Sequence, residues 1–426
     1  MRIPGRLRWL TLSIICVLTI FGCASFDPKP MEEIPFLERA ETQYEGNVRV
    51  KAAVPSAKET IALFDTPLYR RGIQPIWLEI ENNDEEPVWF LPVGLDPDYF
   101  TSFEAAYVNH FAYSLFPQSA NEAMDRYFYE QSKAGIYIGP NTVRSGFIFT
   151  EIDEGTKAFN VELLGEDHEV RTFTFFINVP GLRADHHTVH FDTVYSRDEI
   201  VSYDEEESFR KALEQLPCCT TNRKGTNLGD PLNLVIIGEP EDVFHAFIGS
   251  GWDETETVYR ASAWKTGVSY LFGGKYRYSP ISSLYVYGRR QDISLQWIRE
   301  SIHERNHLRL WLAPMRFEGK PVWIGQISRD IGVRWTLKER AIVTHKIDPD
   351  VDETRDYLRQ DLWYSQGLSK FAYVKGVGAA PISEPRQNLT GDPYFTDGYR
   401  VVLWVSSDPI AMEDVEFLEW GIPPER

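Results

Sequence analysis

Apolar and polar positions follow three rhythms along this chain, and the first is an unbroken block. Residues 9–21 are mostly apolar, come directly after Arg2, Arg6 and Arg8, and run into Gly22-Cys23. A helix that spans a bilayer needs roughly 20 apolar residues. The block is too short for that and predicts instead a bacterial lipoprotein signal over residues 1–22, removed once the Cys23 thiol carries a lipid. Residues 23–45 open Ala24-Ser25-Phe26-Asp27-Pro28-Lys29-Pro30, polar and proline-bearing, and read as a tether between lipid and domain.

The second rhythm has period two. Val48 and Val50 alternate with Arg49 and Lys51, residues 76–80 form a buried-strand run, and Asn82-Asn83-Asp84 turns the chain before another run at 87–91. Strands resume at 146–150, 159–163 and 172–179, where Pro180-Gly181 ends the series. This spacing predicts an antiparallel β-sandwich over residues 46–182. Between Ser102 and Gln131 the pattern turns helical, starting at Ser102 and again at Ser119 and broken at Phe116-Pro117, so a helical insertion is expected there.

Residues 183–230 are polar, acidic and turn-rich, with one short amphipathic helix around 209–216, and read as a connector. A second domain is expected over 231–408. It begins with an apolar strand at 232–238 and a helix announced by Pro240-Glu241-Asp242, with Val243, Phe244, Phe247 and Ile248 as its buried stripe. Further strands are read at 284–287, 307–312, 322–327, 371–374 and 400–405, and a helix at 349–363; residues 409–426 are a tail. Strands and helices do not alternate as βαβ units. The fold class expected is therefore α+β, with a largely antiparallel sheet in the second domain.

Charge narrows the partners. The net charge is −19, and loss of residues 1–22, which hold three arginines and no acids, makes it more negative still. Cation pairing with phosphates dominates nucleic-acid affinity, so nucleic acid is set aside as a partner. The 43% of apolar residues is enough to bury more than one core. Of the four cysteines, Cys16 leaves with the signal and Cys23 is lipidated. The adjacent Cys218 and Cys219 are open to three readings: a vicinal disulfide, a bond between chains, or buried thiols.

Several side chains carry candidate chemistry. His307, Arg309 and Trp311 alternate with Leu308, Leu310 and Leu312, so a strand here turns an imidazole, a guanidinium and an indole to the face opposite the leucines. That face suits an anionic or polar ligand: arginine offers a planar fork, tryptophan a platform, and histidine a proton near neutral pH. The competing expectation is a second core in which Arg309 pairs with a carboxylate. Arg289 and Asp292 follow a strand that ends at Gly288 and join the ligand set, although Asp292 also reads as the cap of a helix bearing Ile293, Trp297 and Ile298. Asp330 is placed as an acid partner for Arg309 or His345, and His345 and Arg355 as residues able to converge on the His307 face. Asp348, Asp350 and Asp352 have no EF-hand spacing; Asp348 before Pro349 reads as a helix cap. His186, His187 and His190, with Asp185 and Asp192, form a weak zinc candidate in a loop, and solvated histidines explain them more simply. The sequence holds no Gly-x-x-x-x-Gly-Lys loop, Gly-x-Ser-x-Gly or dinucleotide fingerprint, and no cofactor is expected.

A set of motifs points further. Pro231-Leu232-Asn233-Leu234-Val235 with Gly251-Trp252, Ser279-Pro280, Tyr287-Gly288-Arg289-Arg290-Gln291-Asp292, His307-Leu308-Arg309-Leu310-Trp311, Val322-Trp323-Ile324-Gly325 and the run from Thr344-His345-Lys346 to Arg355-Asp356 follow in order over about residues 230–407. Together they resemble the LssY C-terminal domain family, known from proteins assigned to type I secretion. The resemblance implies a secretion or envelope-protein partner and brings no activity with it. Elsewhere the family domain follows a membrane segment similar to type 2 phosphatidic acid phosphatases. No such segment and no Arg-Pro phosphatase motif occurs here, so no phosphatase residue carries over. The expectation is a lipid-anchored, periplasm-facing protein, sorted to the outer membrane because Ala24-Ser25 lacks the retaining aspartate, whose second domain binds a polar or anionic ligand or a protein partner. The rivals are a hydrolase of an envelope phosphate ester, with His307 or His345 handling the proton, and a purely structural assembly component.

Overall fold

The computed structural model describes residues 26–110, 118–132, 134–182, 184, 189–255, 281–298, 305–335 and 343–424. Within these the chain is mixed α+β and divides into two compact units, one of residues 1–153 with 159–180, the other of residues 154–158 with 181–426.

The first unit carries strands β1 (Glu41–Glu45) and β2 (Val48–Ala53), helix α1 (Ala57–Phe64), β3 (Ile73–Asn82), β4 (Val88–Phe90), helices α2 (Pro92–Leu95), α3 (Ser102–Tyr107) and α4 (Gln118–Gln131), and strands β5 (Tyr137–Ile138), β6 (Thr142–Glu151), β7 (Gly155–Gly165) and β8 (Val170–Val179). Two four-stranded sheets form, β1-β2-β3-β6 and β5-β4-β7-β8. Period-two patterning explains both sides of the first sheet. Val50, Ile76, Leu78 and Ile80 meet Phe90, Val161, Leu163 and Phe175 of the second sheet in one core, while the alternate residues Trp77, Phe147 and Phe149 turn the other way and are covered by Phe64 of α1 and Met124 and Phe128 of α4.

The second unit continues with β9 (Val201–Tyr203), helix α5 (Glu206–Glu214), β10 (Cys219–Thr221), β11 (Leu228–Pro231), β12 (Leu234–Ile237), helix α6 (Pro240–Gly249), β13 (Asp253–Glu254), β14 (Tyr285–Val286), β15 (Arg289–Arg290), β16 (Ile293–Ile298), β17 (Arg305–Phe317), β18 (Lys320–Trp335), β19 (Val343–Ile347), helix α7 (Val351–Tyr364), β20 (Leu368–Lys375), β21 (Arg386–Gln387), β22 (Pro393–Tyr394), β23 (Tyr399–Val405) and β24 (Glu416–Leu418). Its main sheet runs β13-β16-β17-β18-β12-β23-β20-β24, with β19 on β18 and β9 on β17. Most pairs are antiparallel; β12/β23, β9/β17 and β20/β24 are parallel.

Both faces of this sheet are covered. On one, Phe209 and Leu213 of α5 pack on Val235, Ile237, Trp311, Ile324, Val402 and Trp404. On the other, Leu310 and Leu234 close over Gly325, where a Cβ would stand 2.8 and 2.9 Å from their side chains; α7 adds Trp363 against Phe371, ring centroids 5.4 Å apart.

Four local expectations are corrected or resolved. The stretch 183–230 is not a loose connector: β9 pairs with β17, and α5 supplies core to the second unit. Residues 293–298 form strand β16 rather than a helix, since Ile293 and Leu295 alternate with Ser294 and Gln296 and both neighbouring strands pair with them. The cap of α7 is Asp350, whose side chain accepts from the amides of Asp352 and Glu353, while Asp348 accepts from the amide of Asp350 one turn earlier. Cys218 and Cys219 form a vicinal disulfide. Beside it Arg400, fully buried, donates to the carbonyls of Leu213, Leu216 and Pro217, where the C-terminal end of α5 offers its unpaired oxygens.

Candidate functional site

The chemistry gathers on three adjacent strands. Register sets Gln296 opposite His307 and Ser294 opposite Arg309 between β16 and β17, then His307 opposite Ser328 and Arg309 opposite Gln326 between β17 and β18. Cross-strand partners share a face, and Arg305 and Asp330 extend the same row by one alternation. The intervening Leu295, Leu308 and Ile327 pack on the other face, which fixes the row's orientation: a one-residue slip would bury the charges among leucines.

Within the row, Arg309 donates from Nη1 to Gln326 Oε1 at 2.7 Å and from Nε to the Ser282 carbonyl at 3.2 Å. Arg305 donates to Gln296 Oε1 at 2.6 Å, and its Nε lies 3.5 Å from Asp330 Oδ2. His307 Nε2 lies 3.3 Å from the same carboxylate oxygen. Asp230 of β11 sits in the field of Arg309 and accepts from Asn388 Nδ2 at 3.0 Å. The amide nitrogen of Gln326 is buried with no partner among the described residues.

These eight side chains are between 0% and 7% exposed. The polar face therefore does not open to solvent among the described residues, which corrects the expectation of an outward face. Segments remote in sequence reach it, marked by the Ser282 carbonyl and the Asp230 side chain. Burial governs the charges. It pushes Asp330 up to about 7, against the lowering pull of Arg305 and Arg309, and raises Asp230 despite Arg309. Burial also lowers Arg305. A guanidinium does not give up its proton in proteins, so in these pairs it is the carboxyl that yields.

The remaining candidates lie elsewhere. Trp311 continues the alternation but belongs to the apolar core, its indole donating to the Arg289 carbonyl at 3.3 Å, so it is a wall of the core rather than a platform for ligand. Arg289 and Asp292 form a clasp of their own. The guanidinium bonds the Asp292 carboxylate and lies 5.3 Å from the Tyr195 ring, and Asp292 Oδ2 accepts from the Leu312 amide at 2.7 Å. With His190 they line a separate cavity of about 410 Å³. Arg355 does not converge on His307. It is fully buried on the α7 side of the sheet, held by Asp352 at 3.2 Å, Asp356 at 3.0 Å and Asp397 at 2.8 Å. Asp330 lies within 3.5 Å of both Arg305 and His307, and Arg309 acts on its charge as well. His345 stands on β19 opposite Val333, and its side chain is outside the described residues, as are His186, His187 and Cys23. Among the described residues no three His, Cys, Asp or Glu side chains are grouped to hold a metal.

Arg305 was missed in the sequence although the signal was present: Arg305, His307 and Arg309 alternate without interruption. Asp230, Gln296 and Gln326 gave no such signal, because nothing local tells which polar residues of an apolar strand will be covered. With this geometry in place, the family model described as "LssY C-terminus" matches residues 210–399, a span that contains the whole row. No curated protein matches the chain.

Proposed function

Because residues 210–399 belong to the LssY C-terminal domain family, we propose that this domain is a binding module whose Arg305–His307–Arg309 row holds a small anion, in a protein tethered to the cell envelope by a lipid on Cys23. One observation carries the reading. Arg305 and Arg309 share a buried sheet face with Asp330, and Asp230 of β11 sits in the field of Arg309; burial raises both aspartates toward the neutral acid. An anion that accepts from the guanidinium forks would meet charge-assisted hydrogen bonds in a place where burial disfavours carboxylate charge. The buried amide of Gln326 adds a neutral donor to the same place.

The test uses sulfate, whose charge is constant over the working range. It should raise the melting temperature of the full chain in proportion to its logarithm above Kd. Addition of sulfate with no change in melting, up to concentrations well above those that shift ordinary proteins, removes the reading. Anchoring is tested separately: Cys23→Ser should move the protein from the membrane fraction to the soluble fraction of cells, and a variant that stays with the membrane contradicts the lipid tether. Among the described residues no helix is long and apolar enough to cross a membrane.

A second reading has its own support, the 3.3 Å approach of His307 Nε2 to Asp330. A histidine beside a carboxyl that titrates near 7 is equipped to move a proton during hydrolysis of a bound phosphate ester. Turnover of p-nitrophenyl phosphate, lost in His307→Ala, favours the hydrolase; anion binding without turnover favours the binding module.

A further inference from the structure

A different cavity opens on the opposite face of the same sheet. Trp297 and Arg329 both pair with Asn306, on its two sides, so they share the face that His307 does not. Together with Glu353, Asp356, Tyr357 and Gln360 of α7 they line a space of about 700 Å³, within the range of small-ligand sites. The Trp297 and Tyr357 ring centroids are 6.0 Å apart at 47°, and the Arg329 guanidinium lies 5.2 Å from the Tyr357 ring.

Charge here is already matched. Arg329 Nη1 stands 3.8 Å from Glu353, and Asp356 is held by Arg355 at 3.0 Å and accepts from the Tyr373 hydroxyl at 3.0 Å. An anion meets carboxylates and a cation meets guanidiniums, so neither gains from entering. Two angled aromatic rings within a rim of planar polar groups suit a molecule with an apolar face and hydroxyls around its edge. That is a pyranose ring. We propose that this cavity binds a neutral oligosaccharide, one sugar ring lying on Trp297 with its hydroxyls toward Glu353, Asp356 and Gln360. The site is independent of the anion row, since the two lie on opposite faces and ask for different ligands.

The experiment is calorimetric titration of the full chain with cellotriose, maltotriose and the trimer of N-acetylglucosamine, with trigalacturonate as the charged control. At least one neutral sugar should bind, with an affinity that is unchanged by about 0.5 M salt, because no net charge is engaged. Trp297→Ala should weaken it about tenfold or more, while Trp297→Phe keeps a stacking face and stays within about threefold. Gln360 is exposed, so Gln360→Ala should fold and lose about threefold, which keeps the test valid if Trp297→Ala does not fold. Failure of all three neutral sugars, binding by trigalacturonate alone, or an affinity indifferent to both Trp297→Ala and Gln360→Ala overturns the proposal. Sulfate binding plays no part in any of these outcomes.

Discussion

Glu254 shows how a single carboxyl can set the pH response of the second unit. Its Oε1 accepts from the Thr156 hydroxyl at 2.8 Å, and burial pushes it up to about 8 from an ordinary value of 4.5. The backbone makes room for it with Gly155, which has φ +89° and would bring any Cβ to within 2.0 Å of the carboxylate. Above the ordinary carboxyl range an unfolded chain has released this proton, and the folded chain holds it until about pH 8. The folded state binds more protons across that window, so its stability is greatest at the acid end and is lost as pH rises. Asp330, pushed up to about 7, acts in the same direction. Glu254→Gln keeps an acceptor for Thr156 and removes the titration. Urea melts at several pH values should show the variant losing less stability than the parent between pH 5 and 8; parallel profiles would mean that Glu254 titrates normally. None of this was legible in the sequence, where Glu254 is one acid among many in a chain of net charge −19.

Among the elements, α7 has a start that the sequence misplaced. Asp348-Pro349 has the form of a cap followed by a first helical residue, yet the helix begins at Val351 with Asp350 as its cap. Asp348 instead accepts from the Asp350 amide at 3.0 Å, a local turn that competes with helix for the same donors. Asp350→Ala should therefore cost about 1 kcal/mol in chemical denaturation, and Asp348→Ala less; the reverse order would restore the earlier boundary. Strand β16 failed for a related reason. Ile293, Trp297 and Ile298 satisfy a helical stripe, while Ile293, Leu295 and Trp297 satisfy a strand face, and six residues cannot decide between the two periods. Pairing with β13 and β17 decides it. Strand β17 was readable from its alternation, and β18, β20 and β23 from short runs rich in β-branched and aromatic residues.

At the scale of the molecule, the α+β class and the antiparallel character of the second unit's sheet followed from the order of strand and helix signals alone. The burial of the polar row did not. In an antiparallel sheet, alternation usually means that the polar side meets water, and that rule predicted an open His307–Arg309 face. Here Ser282 and Asp230 reach Arg309 from 27 and 79 positions away in sequence, and such long-range covering leaves no trace in local pattern. The consequence is chemical: water would have screened the arginines and kept Asp330 ionised, whereas burial raises Asp330 to about 7 beside the two guanidiniums. The most direct test is calorimetric titration of sulfate into the full chain at pH 6 and pH 8, beside the Arg309→Lys variant, which keeps the charge and loses the fork. The anion-binding account predicts binding at pH 6, weaker binding at pH 8 where ionised Asp330 competes for the guanidiniums, and a loss of about tenfold or more in Arg309→Lys. Absence of binding at both values, or an affinity that Arg309→Lys leaves unchanged, would contradict it.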